Sequence, residues 1–176
     1  DEKGAIAGHA ALLPPSGGNV NFGGDGSTSG LFLVHGEYDF NFFILTANTG
    51  IHFRPRNSIN TPRLDNGLGI GNEWRWAVGG FIPFKAGKYR IGGTLFGQTG
   101  IESDDVIGDT VFKKRNTPME WNVEGRMRFG EKDQFWAGAG GGTLINNGYG
   151  APDVRVLLLA GVYTNIFDTD PKSPDR

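Results

Sequence analysis

The stretch MEWNVEGRMRF, residues 119–129, alternates from end to end. Met119, Trp121, Val123, Met127 and Phe129 fall on one side with Gly125, and Glu120, Asn122, Glu124, Arg126 and Arg128 fall on the other. Successive side chains of a β-strand point to opposite faces, so this pattern predicts a strand with one apolar and one charged face. Leu68–Ile82 repeats the division: Leu68, Ile70, Trp74, Trp76, Val78 and Ile82 share a side with Asn72, opposite Glu73 and Arg75. Phe42–Phe53 sets Phe43, Leu45, Ala47, Ile51 and Phe53 against Thr46, Asn48 and His52. Tyr89–Thr99 sets Tyr89, Ile91 and Leu95 against Arg90, Thr94 and Gln98. Leu31–Phe40 also qualifies, as do the Ala- and Gly-rich Gly4–Leu13 and Phe135–Leu144. Val154–Tyr163 is apolar on both sides apart from Arg155. Eight strands are predicted in all, and no segment carries a helical period.

The connections between these strands alternate in length. Pro14–Gly30, Arg54–Gly67 and Gly100–Pro118 are long, and Ile145–Asp153 is intermediate. Asp39–Asn41, Phe84–Lys88 and Gly130–Asp133 are tight. In an antiparallel meander this gathers long loops at one end and short turns at the other, as in transmembrane barrels of outer membranes. Tyr38, Phe40, Phe42, Phe81, Phe84, Tyr89, Phe129, Phe135, Trp136, Tyr163 and Phe167 gather at the short-turn end. Rings concentrate in such girdles at the membrane boundary, although they also favour strands in general. The expected fold is an all-β, antiparallel up-and-down transmembrane β-barrel. It would have about eight strands in this segment, alone or as part of a larger barrel.

Composition agrees with this class. Glycine supplies 30 of 176 residues, which disfavours a helical bundle. Thirteen Phe, four Trp and four Tyr argue against disorder. There is no Cys, hence no disulfide or thiolate metal site. A net charge of −2 gives no electrostatic case for nucleic acid. No apolar run approaches the length of a membrane helix. The sequence begins without Met or a leader and is expected to be a mature or excised segment.

Residues 1–167 are expected to form the barrel, and 168–176, rich in Asp and Pro, the start of a periplasmic linker. In a membrane barrel the polar faces point inward. Glu73, Arg75, Arg90, Glu120, Glu124, Arg126 and Arg128 then form an ionic network in the lumen, as a packed plug or as a gate. Trp74, Trp76, Met119, Trp121, Val123 and Met127 face lipid. The run Gly138–Gly142 lacks the spacing and following helix of a phosphate loop, and reads as room for long lumen side chains or for a bend.

His9, His35 and His52 stand one per strand without metal-ligand spacing, and Asp25, Glu102, Asp104, Asp105 and Asp109 lie in loops without a calcium-loop pattern. No metal, cofactor or catalytic residue is expected. Ser16, Ser27, Ser29, Ser58, Ser103 and Ser173 lie outside the predicted strands, and none sits in a nucleophile motif.

Several segments carry a resemblance: Phe22-Gly-Gly-Asp-Gly-Ser27, His52-Phe-Arg-Pro-Arg56, Gly71-Asn-Glu73, Asn116-Thr-Pro-Met-Glu120 and Gly148-Tyr-Gly-Ala-Pro-Asp-Val-Arg-Val156, together with Pro15-Ser-Gly17. They resemble the N-terminal barrel region of large OmpA-family outer-membrane proteins of myxobacterial type. The resemblance implies an Asp-rich, calcium-binding-type linker after the barrel, with Asp168 and Asp170 in it. A peptidoglycan-binding domain would follow, and it is absent from this sequence.

The expected role is a non-enzymatic membrane anchor in the bacterial outer membrane, with exposed loops. Its partners would be outer-membrane lipid and, through the absent domain alone, peptidoglycan, with no nucleic acid. A pore or transporter for small solutes is the second reading. A soluble lipocalin-like barrel, with Met119, Trp121, Val123 and Met127 turned inward around a ligand, is the third.

Overall fold

The computed structural model describes residues 3–15, 27–55, 57–59, 68–101, 117–131, 133–146 and 152–162. Asp25, the acidic residues of the fifth connection, Tyr163, Phe167 and the 168–176 tail with Asp168 and Asp170 lie outside this set. So does most of the sequence that carries the resemblance between strands.

The described residues form ten strands in order: β1 (Gly4–Leu13), β2 (Ser29–Asp39), β3 (Ile44–Phe53), β4 (Asn57–Ile59), β5 (Leu68–Ile70), β6 (Glu73–Phe84), β7 (Tyr89–Gly100), β8 (Met119–Phe129), β9 (Phe135–Leu144) and β10 (Val154–Val162). Eight of them form one sheet in the order β1-β2-β3-β6-β7-β8-β9-β10, every neighbouring pair antiparallel. The sheet curls into a half-barrel with up-and-down connectivity, and the described residues contain no helix.

The predicted limits of the strands at 4–13, 119–129 and 135–144 coincide with β1, β8 and β9. The predicted strand Leu68–Ile82 is two elements. β5 pairs with β4 in a separate two-stranded ribbon within the third connection, and β6 begins after Gly71 and Asn72. Asn72 makes the corner: its Oδ1 accepts from Arg54 N at 3.0 Å, and its carbonyl from Ile101 N at 2.9 Å. A side chain busy capping backbone groups cannot extend the alternation that Leu68 and Ile70 begin.

The tight turns explain themselves locally. At the β2–β3 turn Asn41 has φ 75°, and its amide donates to Asp39 Oδ1 at 2.6 Å. Asn tolerates this left-handed conformation, and Asp bonds the backbone two residues on. The β6–β7 turn places Lys85, Ala86 and Gly87 all at positive φ. Gly87 adopts it without steric cost, whereas Lys85 and Ala86 are held there by the strands on either side.

Burial runs opposite to that of a water-soluble sheet. Among the described residues the one buried large hydrophobic side chain is Phe81. Buried polar side chains include Ser29, His52, Glu73, Glu120 and Glu124. On the other face Phe32, Val34, Leu45, Trp74, Val78, Ile82, Ile91, Trp121, Val123 and Met127 are exposed. Register fixes the sides: Glu124 pairs with Gly92 and Gly140, while Val123 pairs with Gly93 and Gly141. The charged side is concave and the apolar side convex.

Two rings assigned to the girdle at the short-turn end are turned the other way. Phe81 shares the concave face with Glu73, and Trp136 lies opposite Arg128 on that face. Both meet arginines there. The other described rings of that girdle, Tyr38, Phe40, Phe42, Phe84, Tyr89, Phe129 and Phe135, are exposed.

Candidate functional site in the concave face

All seven predicted lumen residues stand on the concave side of β6, β7 and β8. They fall into three groups along the strands.

The first lies at the long-loop end. Glu73 heads β6, with its carboxylate 8% exposed. Arg54, just past β3, donates to Glu73 Oε1 from Nη2 and to the Gly71 carbonyl from Nε at 2.9 Å. Arg75 Nη2 is 3.6 Å from Glu73 Oε2. His52, the register partner of Glu73 on β3, has Nδ1 3.6 Å from the same oxygen. One buried carboxylate thus meets two guanidinium groups and an imidazole. Such pairing is what makes burial of the charge tolerable.

Within this group Ser29, His52 and Glu73 align in the order of a nucleophilic triad, with His52 Nε2 3.1 Å from Ser29 Oγ. The proton arrangement is wrong for it. Arg75 Nη2 donates to His52 Nδ1 at 3.0 Å, so Nδ1 accepts. The neutral ring then carries its proton on Nε2 and donates to Ser29, whereas a general base must accept from the serine. Ser29, His52 and Glu73 are also 4%, 3% and 6% exposed. Ser29, His52 and Arg75 instead form an ordered hydrogen-bond chain that pins β2 to β3 and β6.

The second group joins β8 to β10. Arg155 donates to Glu120 twice, Nε to Oε2 at 2.7 Å and Nη2 to Oε1 at 3.0 Å, a bidentate pair. The bond passes over β9, where Gly142 lies opposite both Asn122 and Arg155. Any Cβ at Gly142 would collide with the Trp121 carbonyl, and one at Gly138 would come within 2.9 Å of Arg126 Cγ and 2.7 Å of the Gly125 carbonyl. The glycines of β9 therefore let backbone and long inward side chains of β8 approach closely. Arg155 was not among the predicted lumen residues. Its signal was that of a single charge in an otherwise apolar strand.

The third group is at the short-turn end. Glu124 Oε1 and Arg126 Nη2 are 2.5 Å apart. The Arg126 guanidinium lies 5.1 Å from the Trp136 ring centre, and that of Arg90 4.4 Å from Phe81. Arg128 is exposed.

Between the first and second groups an open-sided cavity of about 480 Å³ is lined by Asn48, Arg75, Thr94, Gln98, Glu120 and Asn122, among others. The predicted lipid-facing residues all lie on the opposite, convex side, with Trp74 37%, Trp121 42%, Met127 44% and Val123 50% exposed. His9 and His35 are neighbours across β1 and β2, ring centres 6.2 Å apart, while His52 is bound into the first group. Among the described residues no three His, Asp or Glu side chains converge on a point that could hold a metal.

No protein-family model matches the sequence, and no curated protein or solved structure is significantly similar to it.

Proposed function

We propose that this chain is the wall of a transmembrane β-barrel in a bacterial outer membrane, serving as an anchor whose longer connections face outward. The reading rests on one observation. The exposed convex face is a continuous field of Phe, Trp, Val, Leu, Ile and Met, while Glu73, Glu120 and Glu124 are buried on the concave face. Water on the convex side would leave that apolar field without a partner, whereas hydrocarbon satisfies it. A soluble lipocalin-like barrel needs Trp121, Val123 and Met127 inside, and they lie outside.

Among the described residues nothing pairs with the outer edges of the sheet, β1 and β10. Unpaired backbone groups are not tolerated in hydrocarbon. In this reading the edges must therefore meet each other, which their antiparallel sense permits, or pair with further strands. The resemblance to OmpA-family barrels belongs to the same proposal, as does tethering to peptidoglycan through a domain absent here.

A pore for small solutes is the second reading, favoured by the open cavity of about 480 Å³, whose lining includes Asn48, Arg75, Gln98 and Asn122. In a barrel wider than eight strands those residues would line water and set selectivity.

Single-Cys variants at Trp121, Asn122 and Val123, spin-labelled in lipid vesicles, test both, since the chain has no native Cys. The membrane reading expects oxygen to reach labels at 121 and 123, with 122 protected from it. It fails if the chain stays out of vesicles, or if 121 and 123 are reached by a water-soluble quencher instead. Quencher access at 122 alone selects the pore over the packed plug.

A further inference from the structure

We propose that the short-turn end of the concave face is a binding site for the phosphate group of a small ligand. Four cationic side chains converge there: Lys88 and Arg90 from the start of β7 and the turn before it, Arg126 and Arg128 from the end of β8. They line a small cavity of about 40 Å³ together with Trp136.

Arg90 and Arg126 are direct register partners. Like charges opposite each other on one face of an antiparallel pair repel, and side chains free to do so splay apart. Here they are held. The Arg90 guanidinium packs 4.4 Å from the Phe81 ring centre, and that of Arg126 5.1 Å from Trp136. Glu124 fixes Arg126 from its own strand. The Arg128 amide donates to the Lys88 carbonyl at 2.8 Å, which ties the two chain segments together beside the cavity. The two inward-turned rings, Phe81 and Trp136, have a purpose in this arrangement: each braces an arginine.

The charge does not balance locally. Glu124 is the carboxylate inside the group, and Glu131 and Asp133 are exposed in the adjoining turn. Even with all three counted, cations outnumber anions. Arg126 Nε and Glu124 Oε1 are both buried without a hydrogen-bond partner among the described residues. Guanidinium forks fixed in advance and surplus positive charge match a tetrahedral oxyanion, which accepts paired N–H bonds. The cavity, about 40 Å³ and open on one side, suits the tip of a small oxyanion such as a phosphate group.

The test uses the whole chain in a nonionic detergent that contains no phosphate. Inorganic phosphate is titrated at constant ionic strength against chloride, read by calorimetry and by Trp136 fluorescence. Saturable binding is expected by both readouts, and the fluorescence change should vanish in Trp136→Phe, which removes the reporting indole. Arg90→Gln should weaken binding about tenfold or more, through loss of a charge-assisted fork. Arg90→Lys should recover part of it. Lys85→Gln removes a charge from the same end of the molecule but outside the cluster, and should change affinity less than about twofold. The proposal is overturned if chloride competes as well as phosphate, or if Lys85→Gln weakens binding as much as Arg90→Gln. A second arm adds short-chain phosphatidylglycerol. Displacement of phosphate at lower concentration than free phosphate itself requires identifies a lipid headgroup as the source, and no displacement identifies free phosphate. None of these outcomes depends on whether the convex face lies in a bilayer.

Discussion

The two faces of this sheet are built from the same strands and solve opposite problems. On the concave face charged groups are hidden, and each buried glutamate has found a cation: Glu73 with Arg54 and Arg75, Glu120 with Arg155, Glu124 with Arg126. On the convex face large apolar groups are displayed, with Leu158 84%, Val156 77% and Val123 50% exposed. The difference teaches that specificity comes from the inside, through directional ion pairs that permit one register, while the outside is non-directional and asks only for a medium that prefers apolar surface.

The concave face should break hardest at Glu73. Glu73→Ala leaves Arg54 and Arg75 beside each other without their counter-charge. Removing one partner of a buried pair typically costs about 3–5 kcal/mol. Urea unfolding in lipid or detergent should show a loss in this range. A loss below about 1 kcal/mol would mean that water already screens the group and that the concave face is not sealed at its long-loop end.

The convex face should break according to its surroundings. Val123→Arg places a charge near the middle of β8. In a bilayer this costs about 2–4 kcal/mol at mid-depth. In water, at an exposed strand position, the change should stay within about 0.5 kcal/mol. Measuring the same variant in vesicles and in detergent-free buffer separates the two media, because the structure on the concave side is untouched in either.

How much of this was legible in the sequence follows from the range of each signal. Alternation is local, so β8 and its two faces could be read from residues 119–129 alone. Parity also put His52 on the polar side of β3, and Glu73 and Arg75 on that of β6. The partners of those residues are not local. Arg155 reaches Glu120 from 35 positions away and across an intervening strand, and nothing in an apolar stretch such as Val154–Val162 announces where its one charge will go. Ser29 stands just before the predicted start at Leu31, so its bond to His52 was out of view. Phe81 and Trp136 were grouped by their position near short turns, although parity already placed Phe81 on the side of Glu73, away from Ile82. The corner at Asn72 was read as a continuation because its neighbours happen to keep the alternation.

Glycine substitution sharpens the comparison at smaller scale. On the concave face a Cβ at Gly142 would strike the Trp121 carbonyl, so Gly142→Ala should destabilise by about 1–3 kcal/mol, the usual range for overpacking. On the convex face Gly30 has open space where its Cβ would be. Gly30→Ala should be neutral or stabilising by up to about 1 kcal/mol, since alanine gives up less backbone freedom on folding. Equal effects at the two sites in parallel thermal melts would mean that the close contact between β8 and β9 relaxes freely.

The smallest effect tests the balance within the concave face itself. At its long-loop end charges are matched, whereas at its short-turn end Arg90 and Arg126 oppose each other. Arg90→Gln removes a like-charge repulsion, a gain of a few tenths of a kcal/mol, and also the contact with the Phe81 ring, a loss of about 0.5–1 kcal/mol. The two nearly cancel, but they respond differently to salt. Repulsion between partly exposed charges is screened as the Debye length falls from about 30 Å at 0.01 M to 3 Å at 1 M. Contact between a guanidinium and a packed ring, at van der Waals range, is screened far less. Arg90→Gln should therefore be close to the parent chain at low salt and fall behind it by a few tenths of a kcal/mol at high salt. A difference independent of salt would mean that the repulsion is already neutralised, and the short-turn end would then be as well matched in charge as the long-loop end.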